Sequence, residues 1–485
     1  MIRFLLNQEM REVSELSPNT TVLKYLREQA GKSGTKEGCG SGDCGACTVV
    51  LGEVKNGELS YQSVNACLTF IGSLQGKQLI TVEDLKSGEQ LHPVQQAMVE
   101  YHGSQCGFCT PGFVMSMFAL TKNAPNADRM DVEEALAGNL CRCTGYRPIV
   151  DAALSISQEE ALHDRFTEYQ TEVVEKLLAI TDQPSQLTDR SHSAFIPTSS
   201  DQLADILLTH PDAKMVAGGT DLALEVTQFH RDIDILVHLG NVSDMKTVNE
   251  TDTHIEIGAN VSLTQVHNIL KPYFPDFSKL LHRFASLQVR NQGTLGGNVA
   301  NASPIGDSPP LLIALNASVV LRKGNKRREI SLDDFFKGYK VTELQVSEFI
   351  EQIRIPKPSA NQIFQAHKVS KRIDDDISAV CAAFNFTIEN NVVIDVRLAY
   401  GGMAAVPARA TLAEQALRGE VFNAINIQKA MTALEADFSP ISDCRASKEY
   451  RIETAANLLY RFYLQQRLNQ SAEQDIQIEV ISYVS

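Results

Sequence analysis

Gly38-Cys39-Gly40-Ser41-Gly42-Asp43-Cys44-Gly45-Ala46-Cys47 places three thiols in a C-x4-C-x2-C spacing among four glycines, and Cys67 follows as a fourth. Three side chains from so short a loop turn to one centre only if the backbone visits positive φ, which glycine permits, and its bare amides then point at a bound anion. A second group, Cys106-Gly107-Phe108-Cys109 with Cys141-Arg142-Cys143, has a different spacing. Eight of the ten cysteines therefore fall in the first 143 residues.

The first spacing is that of a plant-type [2Fe-2S] loop, and the two groups together imply two clusters in one electron-carrying chain. Four thiolates also hold zinc tetrahedrally, so a zinc-stapled, noncatalytic scaffold stands as the alternative reading. Zinc ribbons usually pair two C-x2-C knuckles, which neither group does. Gly40-Ser41-Gly42-Asp43-Cys44-Gly45 satisfies G-x-G-x-x-G, but its cysteine belongs to the metal loop and no dinucleotide-type strand precedes it. Cys381 and Cys444 stand alone and read as small hydrophobes without an assigned role.

Strand-like runs at Ile2 to Leu6 and Gln78 to Val82 bracket an amphipathic helix from Thr21 to Ala30, which Gly31 stops. From Pro93 the apolar residues recur at a helical period: Val94, Ala97, Met98 and Tyr101, then Phe113, Met117 and Leu120. Thr110-Pro111 and Arg147-Pro148 put proline at a helix start directly after a cysteine pair, so two positive helix ends face an anionic centre. A charged helix over about 157–181 and a polar tether to His192 follow. Beyond them Val216-Ala217 and Ile255-Glu256-Ile257 read as strands, a break falls at Pro356-Lys357-Pro358, and a strand over Val392 to Tyr400 precedes helices to about residue 470.

The chain has 485 residues, 43% hydrophobic and 21% charged, which suits three or four separate cores. A formal charge of −15 opposes attraction to phosphate backbones, and the basic stretch Lys323 to Arg328 reads as a solvated hairpin turn, so no nucleic-acid partner is expected. The N-terminal apolar run is shorter than a signal-peptide core, and no stretch approaches the roughly 18 apolar residues of a membrane span. A cytoplasmic protein with no membrane association is the expectation, and there clustered cysteines hold metal or do redox work.

Two later segments are suited to cradle a diphosphate: Ala217-Gly218-Gly219-Thr220-Asp221 and Arg290-Asn291-Gln292-Gly293-Thr294-Leu295-Gly296-Gly297-Asn298. Consecutive glycines let amides converge as an anion-binding nest, and threonine and asparagine add donors. A flavin is the apt occupant, because clusters pass single electrons and a flavin pairs them for a nicotinamide.

In this order the cysteine groups, with Cys109-Thr110-Pro111-Gly112 and Leu140 to Tyr146, and the two glycine turns resemble the xanthine oxidoreductase family of molybdenum hydroxylases, most closely the small subunits of its bacterial members. The resemblance implies an α+β multidomain chain. A beta-grasp 2Fe-2S ferredoxin domain would occupy 1–83 and a four-helix 2Fe-2S domain 84–160. After a linker at 161–190 would come a vanillyl-alcohol-oxidase-type (PCMH) FAD domain at 191–360 and an α+β C-terminal flavoprotein domain at 361–485.

By the same resemblance Cys39, Cys44, Cys47 and Cys67 hold one [2Fe-2S] cluster and Cys106, Cys109, Cys141 and Cys143 the other. Met215, Val216, Ala217, Gly218, Gly219, Thr220, Asp221 and Leu222, with Thr294, Leu295, Gly296, Gly297 and Asn298, would contact FAD at its pyrophosphate and ribityl parts, and Phe284 its ring. Asp307 and Lys368 match further flavin contacts, Lys368 as a catalytic cation opposite negative charge on the reduced flavin. Animal members often carry asparagine and glutamate where this chain has Gly219 and Asp221. The implied activity is electron transfer from a molybdopterin-binding large subunit, oxidising hypoxanthine or xanthine to urate, through both clusters and FAD to NAD, in a heterotetramer. In fused eukaryotic members a molybdenum domain begins where this chain ends, so purine oxidation is expected to need the second chain. The alternative within the family is a partner acting on an aldehyde, another N-heterocycle or an aromatic acyl-CoA.

Overall fold

A computed structural model describes residues 1–157 and 164–471. Its first unit is a five-stranded sheet in the order Glu9–Val13, Ile2–Leu6, Gln78–Ile80, Thr48–Lys55, Glu58–Asn65. Ile2–Leu6 runs parallel to Gln78–Ile80 and every other pair is antiparallel, the mixed pairing of a beta-grasp sheet. The Val22–Glu28 helix crosses one face because Val22, Leu23, Tyr25 and Leu26 form its apolar stripe, and the Thr21 hydroxyl caps it by accepting from the Lys24 amide.

Four helices follow: Pro93–Glu100, Thr110–Asn123, Arg129–Leu136 and Arg147–Ser157. Thr110–Asn123 is buried over Gly112 to Leu120, which makes it the central helix of this unit. Both prolines sit at helix starts, as the sequence predicts.

The segment 161–190, expected as a linker, is not an open tether. Residues 158–163 lie outside the described residues, and the expected charged helix resolves beyond them into Arg165–Glu168 and Gln170–Thr181. Val173, Leu177 and Ile180 form a stripe at helical spacing that packs on Leu5, Val54 and Leu59 of the first sheet. Ser185–Thr188 then pairs with Ser193–Ile196. The helix ends at Thr181 where the charged helix was expected to end, and the stretch after it, expected as a polar tether, contains a paired strand.

The third unit holds a four-stranded sheet, ordered Ser185–Thr188, Ser193–Ile196, Ile235–His238, Lys214–Val216, and an antiparallel sheet ordered Val248–Glu250, His254–Gly258, Phe349–Pro356, Ser318–Lys323, Lys326–Ser331. Short helices between them include Leu287–Gln292 and Leu295–Ala300. The basic stretch at 323–328 spans the hairpin between the last two strands, with the turn itself at Gly324, φ +53°, and Asn325, and with Lys326 to Arg328 in the second strand. A final antiparallel sheet, Gln362–Val369, Val380–Glu389, Val392–Gly401 and Ala408–Arg409, is packed against the helices Ala424–Asp437 and Lys448–Ser471.

The units share cores. One apolar cluster runs from Phe4, Leu26 and Phe70 of the first sheet unit into Leu187, Ile196, Val216 and Leu236 of the third. Another carries Cys381 and Ala383 of the last sheet into the third unit. Among the described residues no helix is long and apolar enough to cross a membrane.

Candidate functional site

The first cysteine loop is built by positive φ at Gly40, Gly42 and Gly45. A Cβ at Gly42 would lie 2.4 Å from Leu68 Cδ1, and one at Gly38 would lie 2.7 Å from Cys44 Sγ, so neither site has room for a side chain. The turns aim amides at sulfurs: Ser41 N–H donates to Cys39 Sγ at 3.4 Å, and the Gly42 and Ala46 amides face Cys67 and Cys44. Such donors suit a thiolate-bound anionic group.

The eight thiols gather in pairs. Cys47 and Cys67 sulfurs lie 3.3 Å apart, Cys39 accepts a hydrogen bond from Cys44, and Cys106 meets Cys143 as Cys109 meets Cys141. The Cys44 thiol, ahead of the opposing burial, holds Cys39 down to about 4. Burial and then the Cys141 thiol push Cys109 up to about 12. Among the described residues no three His, Cys, Asp or Glu groups converge as one metal ion needs. Pairs suit two bridged irons, each with two thiolates, better than a single tetrahedral zinc. All ten cysteines are free of disulfides.

The two groups touch through backbone. Leu140 N–H donates to Cys44 C=O at 3.0 Å, one residue before Cys141, and a Cβ at Gly112 would lie 2.2 Å from Gly45 O. On its other side the first group meets the glycine turns: Leu68, next to Cys67, sets its carbonyl against Gly219, where a Cβ would lie 2.8 Å away. Gly219 has φ +74°, and Gly218 packs on the Gln292 carbonyl, where a Cβ would lie 2.0 Å away. The first glycine turn thus folds back on the second.

Between these turns lies a cavity of about 440 Å3. Met215, Ala217, Gly218, Gly219, Thr220, Asp221, Leu222 and Phe284 line it, with Thr294, Gly296, Gly297 and Asn298 opposite. Thr294 Oγ1 accepts from Gly297 N–H at 3.0 Å, which fixes the second turn at the start of Leu295–Ala300. Val216 and Leu295 do not line the cavity; both are buried in apolar cores behind it. Bare amides, small residues and the aromatic walls Phe284 and Phe349 fit an extended diphosphate ligand with a flat ring.

Asp307 and Lys368 come together, but behind the cavity. Lys368 Nζ donates to Asp307 Oδ2 at 2.6 Å and to Ser378 Oγ at 2.9 Å, and Ser378 Oγ donates to the other Asp307 oxygen at 2.6 Å. Both charged side chains are 2% exposed. The neighbouring Ser308 hydroxyl donates to Asn298 Oδ1, and Arg283, next to Phe284, donates to Lys368 C=O at 3.0 Å. The pair is therefore tied to the cavity wall at two points. Asp375, on the loop after Lys368, is pushed up to about 6 by burial and then by the Asp43 carboxylate of the first cysteine loop.

Motif reading did not supply the apolar walls: Leu239, Met245, Ala259, Leu263, Leu344 and Phe349 come from separated elements and look like ordinary core residues in sequence. Nor did it supply Leu68, whose only signal is its place after Cys67.

Residues 4–72 match the 2Fe-2S iron-sulfur cluster binding domain, 81–154 the [2Fe-2S] binding domain, 190–358 the FAD binding domain in molybdopterin dehydrogenase, and 365–466 the CO dehydrogenase flavoprotein C-terminal domain. The xanthine dehydrogenase of Emericella nidulans is 36% identical over 95% of this chain, and the xanthine dehydrogenase/oxidase of Mus musculus 31% over 95%. The chain spans 38% of the length of each. A carbon monoxide dehydrogenase chain from Hydrogenophaga pseudoflava superposes with TM-score 0.53 and 28% identity, over 55% of this chain and 94% of its own. A quinoline 2-oxidoreductase chain from Pseudomonas putida gives 0.52 and 26%, over 57% and 97%.

Proposed function

We propose that four such domains in this order make the chain the iron–sulfur and FAD part of a molybdenum hydroxylase, an oxidoreductase, and that it serves a xanthine dehydrogenase in the cytoplasm. In this reading a molybdopterin-binding large subunit oxidises hypoxanthine or xanthine to urate, and the electrons leave through this chain to NAD. The assembly is a heterotetramer. Bound here, iron–sulfur groups supply one-electron exchange and a flavin pairs the electrons for a nicotinamide.

The observation that carries the proposal is contiguity. Cys106 and Cys143 are exposed, with Phe108 and Tyr146 exposed beside them; Leu140 joins that loop to Cys44; Leu68 joins Cys67 to Gly219 and the cavity. Each step inward uses a neighbouring backbone group. Cys39, Cys44, Cys47 and Cys67 would bind the inner cluster and Cys106, Cys109, Cys141 and Cys143 the outer one, where a partner reaches it. The two glycine turns would hold the FAD diphosphate, Phe284 would flank the ring, and Lys368 would place a cation behind it, held by Asp307.

Xanthine is favoured because the relatives named for it align over 95% of this chain, cluster domains included. The carbon monoxide and quinoline enzymes align over little more than half, which supports a second reading with another substrate on the partner. Purifying the chain with its bound partner and assaying hypoxanthine, xanthine, aldehydes and N-heterocycles with NAD decides between them. Urate formation coupled to NADH supports the proposal, and a complex that turns over only another substrate refutes it.

A further inference from the structure

Between the two cysteine loops lies a knot of side chains that the electron path does not itself require, one of them from the flavin unit. Gln288 is 0% exposed and sits on the short helix Leu287–Gln292, while Thr48 belongs to the first sheet unit and Ser116 and Asn139 to the helical unit. The knot is anchored on Gly45 C=O, between Cys44 and Cys47. That carbonyl only accepts, taking Asn139 Nδ2–H at 3.0 Å and the Thr48 hydroxyl at 2.7 Å. The sense of the Asn139 amide is thereby fixed. Its Oδ1 faces the other way and accepts from Ser116 Oγ at 2.7 Å and from Gln288 Nε2 at 3.0 Å.

Asn139 is followed by Leu140, whose amide meets Cys44 C=O, and then by Cys141. Whatever orients Asn139 therefore sets how closely the second cysteine loop rides on the first. Gln288 is well seated to orient it, since a Cβ at Gly138 would lie 2.2 Å from Gln288 Oε1 and the glutamine thus rests on the residue before Asn139. Its Oε1 is buried without a hydrogen-bond partner, so the cost of placing this amide is met by what its Nε2 holds.

We propose that Gln288 is a positioning residue for electron exchange between the two cysteine sites, because it fixes Asn139 and through it the Leu140 to Cys44 contact. The flavin unit then does more than receive electrons: by docking it sets the spacing of the two centres before it. This rests on the reading of the eight cysteines as two cluster sites.

The test uses the full chain, isolated anaerobically with its iron and FAD and reduced with dithionite. Gln288→Met keeps the volume and removes the donor. Its two cluster signals should keep their g-values and the chain its FAD, while the magnetic splitting between the reduced clusters shrinks and electron equilibration between them slows about tenfold, the usual scale for a residue that orients ligands. Gln288→Leu, which has no donor for Asn139 Oδ1, should behave likewise and carries the test if the methionine variant does not fold. Unchanged splitting and rate in the folded variant overturn the inference and leave the cluster reading intact. A wild-type chain without two cluster signals overturns both.

Discussion

Cys47 and Cys67 are each 2% exposed, inside a core shared by the first sheet unit and the flavin unit, whereas Cys106 and Cys143 stand at the surface of the helical unit. The thiol chemistry is the same; the surroundings differ. At the inner loop Leu68 closes over Gly42, Gly138 O stands against Gly45 and the flavin unit covers the side of Leu68, so only the edge at Gly38 and Asp43 is exposed. At the outer loop a Cβ added to Gly107 or Gly145 would meet nothing within 4 Å. A relay needs one site fixed against its acceptor and one within reach of its donor, and the two environments divide those requirements.

Removing the outer site alone should have the greatest effect. Cys106→Ser should leave FAD content and NADH-to-dye activity close to wild type while xanthine-driven turnover of the complex falls to background; xanthine turnover that persists contradicts the division. Next in size, Lys368→Met removes the cation behind the cavity and should lower NADH-to-dye kcat about 10²-fold, the scale of a lost charge-stabilising donor, with iron content unchanged. An unchanged kcat would confine Lys368 to pairing with Asp307.

Glycine variants set the two loops apart in stability. Gly42→Ala puts a Cβ against Leu68 at φ +85° and should cost about 1–3 kcal/mol with loss of inner-site iron, while Gly145→Ala, at φ +70° with open space around it, should cost only the backbone part, about 1–2 kcal/mol. Chemical denaturation with iron analysis checks both, and equal losses would deny that the inner loop is the more tightly enclosed.

The smallest effect concerns Asp375, whose carboxyl is raised above its ordinary 3.8 to about 6. Between those values the folded chain binds the proton more tightly than the unfolded one, so stability falls as pH rises through the window and the penalty is complete above it. Asp375→Asn, tolerated at its φ of +48°, should flatten the melting temperature between pH 4 and pH 6 and raise it above pH 6. A variant that melts with the wild-type pH dependence would show that this loop is not desolvated beside the inner site.

Much of this was legible in the chain itself. The C-x4-C-x2-C loop, the prolines after each second cysteine pair, and the two glycine turns are local signals, and each occurs where spacing and conformational freedom predict. Three things were not legible, for one reason. The expected helix ending at Thr181 packs an apolar stripe on the first sheet, Val216 beside one glycine turn and Leu295 within the other face cores, and Lys368 meets Asp307 across 61 positions. Each depends on what lies across a nonlocal contact, to which a motif is blind. Gln288 is the extreme case, an inconspicuous glutamine whose partners come from two other units.

Whether two cluster sites feed one flavin site is decided by low-temperature electron paramagnetic resonance of the anaerobically isolated, dithionite-reduced chain, with FAD released and counted from the same sample. Two distinct [2Fe-2S] signals and one FAD per chain are the predicted result. A colourless chain loaded with zinc, showing neither signal and releasing no flavin, would contradict it.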